Sequence, residues 1–198
     1  MIDYNMLASA ADQYEECLYK RIEAPWLVTK PISDITKPQG CSTFMVQKDT
    51  EDSLKAFVAS GEQSFLYLIN KGFLPDGSYQ TITPCLRNDS FDALHTKYFM
   101  KLELITFSTE VSLHGETLIL KHMINDALSV MKSFMNEEDH CRLHIVKTGD
   151  YSYDINYDGT ELGSYGWREC SFCNWFYGTG LAEPRFSRAS SGGKHGLS

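Results

Sequence analysis

No apolar run approaches the roughly 18 residues that a helix needs to cross a bilayer, so helical membrane channels and carriers are excluded for these 198 residues. The first fourteen residues carry acids and place no Lys or Arg ahead of an apolar stretch, which excludes a secretory leader there. A cytoplasmic setting is the expectation, and in it the six cysteines stay reduced. Basic residues are in deficit, with 18 Lys and Arg against 26 Asp and Glu. The resulting net charge of -8 argues against binding nucleic acid by charge alone. Zinc-ligand spacing is thin as well. Cys170 and Cys173 form a C-x-x-C with no second such pair, so two thiols flanking a strand bend are the preferred reading. Internal repeats are missing too.

What is present suits one globular domain. With 42% apolar and 13% aromatic residues the chain can bury a sizeable core. The domain is expected over residues 1–186, followed by a small, polar, Gly-rich and flexible tail at 187–198.

Hydrophobic periodicity orders the elements. Residues 3–21 read as an amphipathic helix with Asp3 as N-cap and Met6, Leu7, Ala10, Tyr14, Cys17 and Leu18 on one face. Short strands are expected at 26–28 and 44–46, and a helix over 53–70, broken around Ser60 and Gly61. Residues 79–86 alternate as a strand, and 98–107 form a second one. The clearest helix spans 117–135, with Leu120, Ile124, Ala127, Leu128, Met131 and Phe134 in its apolar stripe. Strands follow at 142–147, 153–157 and 165–177. Strands joined by turns, with long helices between them, give an α+β class with a mainly antiparallel sheet flanked by helices.

Several segments carry chemistry. Arg87 ends the 79–86 strand, where a guanidinium can fork onto a phosphate or carboxylate. A polar loop through Asp89 and His95 leads to Phe99, a flat face for stacking a base. The ordinary alternative is an Arg87–Asp89 surface pair and a core Phe99. Leu86-Arg87-Asn88-Asp89 with His95 through Phe99 to Glu103 resembles the second signature motif of class II aminoacyl-tRNA synthetases, and also the ammonia-dependent asparagine synthetase. Trp26-Leu-Val-Thr-Lys-Pro31-Ile resembles the first motif, whose proline closes a strand at a dimer interface. Residues 147–156, with Gly149, Asp150, Tyr153 and Asp154, are similar to a stretch of the seryl and phenylalanyl enzymes, with Asn156 where those have Glu. Arg168-Glu169-Cys170-Ser171-Phe172-Cys173-Asn174 resembles a seryl-type strand. Gly178-Thr-Gly180-Leu-Ala-Glu183-Pro-Arg185 resembles the third motif, with Ala182 in place of its third glycine.

The resemblance implies a catalytic core of the class II synthetase and biotin ligase type, working with ATP and Mg²⁺. Arg87 and Arg185 become the catalytic cations. Asp89, His95, Phe99, Glu103, Gly178 and Gly180 become nucleotide contacts, the glycines by letting the nucleotide approach the backbone. Ser60, Glu62, Gln63, Ser171 and Asn174 become amino-acid contacts. Glu169 becomes the magnesium ligand, sharing a strand face with Ser171 and Cys173 if the strand runs on. The implied activity is ATP-dependent activation of an amino acid, or related carboxylate, as its adenylate by a core that works alone. A non-catalytic relative that binds nucleotide, amino acid or a protein partner is the alternative. A homodimer through the first motif is expected. Charging of tRNA is not expected from a core of this size and acidity.

Overall fold

The computed structural model describes residues 1–37, 42–46, 54–88, 96–108 and 113–190. Helix α1 (Tyr4–Glu16) opens on Asp3, whose carboxylate accepts from Met6 N at 2.9 Å. It stops short of the expected end at residue 21. Leu18 turns the backbone left-handed at φ 69°, and Lys20–Arg21 leave as strand β1. Strand β2 (Leu27–Thr29) runs into the short helix α2 (Lys30–Ile35), which carries Pro31 in its first turn, where no backbone N–H is required. Strands β3 (Met45–Val46) and β4 (Lys55–Phe57) precede helix α3 (Gly61–Asn70). The helix expected over 53–70 is thus a strand, a break at Ser60 and a helix. Residues 55–57 extend because β2 and β3 flank them in a small antiparallel sheet of order β2-β4-β3.

The long elements follow: β5 (Gly77–Leu86), β6 (Tyr98–Phe107), helix α4 (Leu113–Ser133), a 3₁₀ segment (Glu137–Arg142), β7 (Leu143–Gly149), β8 (Ser152–Tyr157), β9 (Thr160–Glu169), β10 (Asn174–Glu183) and helix α5 (Arg185–Ser190). The strand expected over 165–177 is therefore a hairpin, with residues 170–173 making the turn. Helix α5 takes in residues 187–190, the first part of the expected tail, and the remainder lies outside the described residues. No helix among the described residues is long and apolar enough to cross a membrane.

The main sheet has seven strands in the order β1-β5-β6-β10-β9-β8-β7, all antiparallel except β1 beside β5. Period-two alternation gives each strand two faces. On one face, Met100, Leu102 and Leu104 of β6 pack with Leu7, Ala10, Ala11 and Tyr14 of α1 and with Leu120, Met123, Ala127 and Met131 of α4. On the other, Tyr79, Ile105, Phe107, Trp175 and Tyr177 pack under Phe65, Leu66 and Ile69 of α3. Helix α3 covers only part of that second face, and the uncovered part holds the polar side chains.

Candidate active site

The uncovered face forms a cleft of about 190 Å³ between the N-terminus of α3 and strands β6, β10 and β9. Strand alternation aims Phe99, Lys101 and Glu103 of β6 into it, with Tyr177 and Thr179 of β10 alongside. Arg87 enters just past the end of β5. Its Nε donates to the Ala59 carbonyl at 2.9 Å, and its guanidinium lies 5.1 Å over the Phe99 ring. Ring and carbonyl together fix where this cation points.

Glu103 is buried. One of its oxygens accepts from Lys101 Nζ at 2.7 Å and from the Ser60 hydroxyl. The other oxygen has no hydrogen-bond partner among the described residues. Burial pushes this carboxyl up, but Lys101, Ser60 and Arg87 together outweigh burial and leave it below the ordinary glutamate value. The close approach of α3 depends on Gly61. A β-carbon there would sit 2.9 Å from Thr83 Oγ1 and 3.1 Å from the free Glu103 oxygen.

Glu62 stands in the first turn of α3, where the helix dipole favours an acid. It accepts from Trp175 Nε1 at 2.7 Å and from Arg168 Nη1 at 2.6 Å, and Arg168 also lies 3.9 Å over the Tyr177 ring. Burial raises the Glu62 carboxyl above its ordinary range, and Arg168 and Trp175 offset only part of that. At the other end of the cleft, Arg185 donates to the Glu161 carboxylate at 3.2 Å and to its carbonyl at 3.3 Å. Arg185 is the first residue of α5. The buried Glu183 caps that helix by accepting from Ser187 N at 3.0 Å and from the Ser187 hydroxyl at 2.8 Å, and it also accepts from Asp3 N at 3.3 Å. The position of Arg185 thus rests on a carboxylate tied to both ends of the domain.

This architecture is found in solved structures. The cytoplasmic serine-tRNA ligase of Naegleria fowleri, solved with AMP, superposes with a TM-score of 0.68 at 15% identity, over 93% of this chain and 52% of that one. The pyrrolysyl-tRNA synthetase of Desulfitobacterium hafniense gives 0.70 at 17% identity, over 96% and 69%. The seryl-tRNA synthetase of Pyrococcus horikoshii, solved with ATP, gives 0.66 at 16%, over 91% and 48%. The fold is that of a class II synthetase catalytic core. At these identities the likeness is one of fold, and the chain spans about half the length of the two seryl enzymes. No family model and no curated protein matches the sequence.

Within this fold, the cleft gathers Arg87, Phe99, Glu103, Arg185, Ser60 and Glu62. Other expected site residues lie elsewhere. Gln63 is buried with both ends of its amide used inside the protein, accepting from Ala59 N at 2.9 Å and donating to the Ser33 carbonyl at 2.8 Å. Gly178 and Gly180 belong to the opposite face. A β-carbon on Gly178 would lie 2.7 Å from Met123 Sδ, and one on Gly180 would lie 2.1 Å from Leu102 Cδ2 and 3.0 Å from Tyr14. These glycines admit α1 and α4 to the sheet, and the cleft between them sees Thr179. Glu169, Ser171 and Asn174 sit at the far end of the β9–β10 hairpin. Glu169 is exposed there, and it shares no strand face with Ser171 and Cys173 because the strand stops at Glu169. Asp89 and His95 lie outside the described residues.

Residues not anticipated from the sequence also line it, among them Lys101, Glu161, Ser164, Arg168, Tyr177 and Thr179. Lys101 shares the parity of Phe99 and Glu103, so strand alternation alone marks it. Glu161 precedes Glu169 by eight residues on the same strand, a separation of about 26 Å at the usual rise. The acid of β9 that reaches the cleft is therefore Glu161. Among the described residues, no three His, Cys, Asp or Glu side chains gather as a metal cage. A lone carboxylate of this kind still suits Mg²⁺, which takes one or two protein carboxylates together with substrate phosphates.

Proposed function

We propose that this cleft binds ATP and an amino acid and joins them as an aminoacyl adenylate. One observation carries the reading: side chains as distant in sequence as Arg87, Phe99, Glu103 and Arg185 converge on a single cleft of a fold whose solved relatives include one with AMP and one with ATP. Adenylation needs no protein nucleophile. A carboxylate oxygen of the amino acid attacks the α-phosphorus in line and pyrophosphate leaves, so the protein's task is positioning and charge neutralisation. Arg87 lies between the two reacting anions and forks onto the α-phosphate as its charge spreads. Phe99 offers its ring to the adenine. The unpartnered Glu103 oxygen accepts from the substrate ammonium, which must replace its lost hydration in a buried site. Arg185 holds the outer phosphates once released from Glu161. Glu161, freed from Arg185, would hold Mg²⁺, which when bound would screen the charge of the pyrophosphate.

ATP–pyrophosphate exchange across a panel of amino acids tests this reading. Exchange with one of them is the expected result, and silence with all of them, despite measurable ATP binding, refutes adenylation. That second outcome is the non-catalytic alternative, a relative that binds nucleotide, amino acid or a protein partner.

The homodimer belongs to the same proposal. An open groove of about 1010 Å³ lined by Arg21, Ile22, Pro25, Trp26, Leu27 and Phe57 lies at the start of β2, and Trp26 is 57% exposed there. Light scattering that returns the mass of two chains supports pairing through this groove, and a dimer unmoved by Trp26→Glu places the contact elsewhere.

A further inference from the structure

The C-x-x-C pair takes no part in the adenylation reading. Its thiols occupy the β9–β10 turn, closed by a hydrogen bond from Cys170 N to the Cys173 carbonyl at 2.8 Å. That bond folds the four residues so that both side chains leave on one side, with the sulfurs 3.7 Å apart. Both thiols are half-buried against the α3-side core and line a hollow of about 270 Å³ with Phe107, Ser108, Glu169 and Phe172. No third metal-ligating side chain joins them among the described residues. A metal thus finds two ligands, whereas a disulfide needs nothing more than the two sulfurs.

We propose that Cys170 and Cys173 are a modification site that closes to an intramolecular disulfide by exchange with a small-molecule disulfide such as oxidised glutathione, and that closure is felt at Glu62 in the cleft. The chemistry balances as two exchanges. The Cys170 thiolate attacks one sulfur of the small disulfide and expels one thiolate. Cys173 then gives up its proton and attacks the Cys170 sulfur of the mixed disulfide, expelling the second thiolate. Two protein thiols are oxidised, one small disulfide is reduced to two thiols, and the two protons go to the departing sulfurs. Burial, with Cys170 beside it, pushes the Cys173 thiol up to about 12, which disfavours Cys173 as the first attacking thiolate and leaves it the resolving role. Closing the bond brings the sulfurs from 3.7 Å to about 2.05 Å.

The consequence for the cleft follows from the ladder. Next to the turn comes the pair Glu169 and Asn174, and next to that Arg168 and Trp175. Those last two residues are the side chains that hold Glu62, at 2.6 and 2.7 Å. A change of twist at residues 170–173 therefore reaches both donors to one buried carboxylate within two residues on each strand.

The test uses the full chain, reduced and then equilibrated in glutathione buffers of graded ratio, quenched in acid and alkylated. The expected result is the loss of two of the six alkylatable thiols, mapped by mass spectrometry to one peptide that is lighter by two hydrogens and carries no glutathione. Cys173→Ser should instead accumulate glutathione on Cys170, and Cys170→Ser should leave Cys173 alkylatable. If Cys170 and Cys173 both stay alkylatable where the exposed Cys141 is glutathionylated, or if glutathione persists on Cys170 in the unsubstituted chain, the site is overturned. The Trp175 indole N–H resonance reads the bond to Glu62 and should shift on oxidation. An unmoved resonance overturns the link to the cleft. Neither readout depends on adenylation, so failure of one proposal leaves the other standing.

Discussion

Replacing Arg168 by Ala removes the cation that, among the described residues, is bonded to Glu62, a carboxylate only 4% exposed. Breaking a fully buried pair by deleting one partner costs about 3–5 kcal/mol, because the remaining charge has lost its compensation. The Arg168 side chain is 41% exposed, so solvent screens the pair and the figure falls to about 2 kcal/mol near pH 8. With a urea m-value of about 2 kcal/mol per M, the unfolding midpoint moves down by about 1 M. The sign of the pH dependence follows from Glu62. Its folded carboxyl is raised above the unfolded one, so the folded state holds the proton more tightly, and stability falls as pH rises from the ordinary glutamate range through the folded value. Removing the guanidinium raises Glu62 further and extends that decline upward. The Arg168→Ala penalty should therefore be larger at pH 8 than at pH 5.5, above a pH-independent part from the lost stacking on Tyr177. Adding Glu62→Gln to Arg168→Ala should restore part of the loss, because the amide oxygen still accepts from Trp175 and leaves no charge behind. Urea titrations of both variants at the two pH values decide the matter. A midpoint shift that is the same at both, or a double variant no more stable than Arg168→Ala, refutes the buried-pair reasoning.

Phe99→Ala should weaken ATP by about 1–3 kcal/mol if its ring stacks on adenine, read by calorimetry on the unliganded chain. Gly180→Ala should destabilise by about 1–3 kcal/mol through overpacking against Leu102 and Tyr14, while ATP affinity stays unchanged. Glu103→Gln reports through pH: a carboxyl held below its ordinary value contributes stability above the unfolded pKa that is lost as pH falls through the folded one. The variant should therefore show a shallower acid limb than the unsubstituted chain, and a higher KM for the amino acid in exchange assays.

Strand pairing was legible where one sheet face is apolar and the other polar. Residues 100–104 alternate apolar with charged, and the alternation that buries Leu102 and Leu104 under the helices presents Lys101 and Glu103, with Phe99, to the cleft. Local pattern failed where the partner is remote. Residues 55–57 are three residues long, and only the flanking β2 and β3, distant in sequence, make them a strand. Cys17 and Leu18 continue the apolar stripe of α1 on paper, but Leu18 turns left-handed and frees Lys20–Arg21 to pair with β5.

Glu169 and the two glycines fall outside the cleft, and both cases are matters of register. Glu161 and Glu169 share numerical parity, but a β-bulge in β9 at Leu162 breaks the alternation between them. The bulge sets Glu161 on the cleft face with Ser164 and Arg168, and leaves Glu169 in step with Tyr165 and Trp167 of the opposite face, at the end of the hairpin away from Arg185. In Gly178-Thr179-Gly180 the glycines draw the eye, yet the sheet has two faces. The alternation that sends Thr179 to the cleft sends Gly178 to Met123, and the β-bulge between Thr179 and Leu181 keeps Gly180 against Leu102 on that same face.

Charge pairing within the cleft separates Arg87 from the other cations. Lys101 is bonded to Glu103, Arg168 to Glu62 and Arg185 to Glu161. Among the described residues Arg87 is held by a carbonyl and a ring, with no carboxylate bonded to it. The three acids thus pair three of the four cations, and the fourth, Arg87, lines the same cleft just past the end of β5. Among the described residues an incoming anion meets Arg87 without displacing a carboxylate, whereas at Arg185 it must compete with Glu161. The distinction also governs how mutants are read. Deleting Lys101, Arg168 or Arg185 strands an acid, so lost activity mixes catalysis with the cost of an uncompensated charge. Deleting Arg87 breaks no ion pair among the described residues and removes only its longer-range support of Glu103, so the loss it causes is the cleaner measure of what this cation does in the cleft.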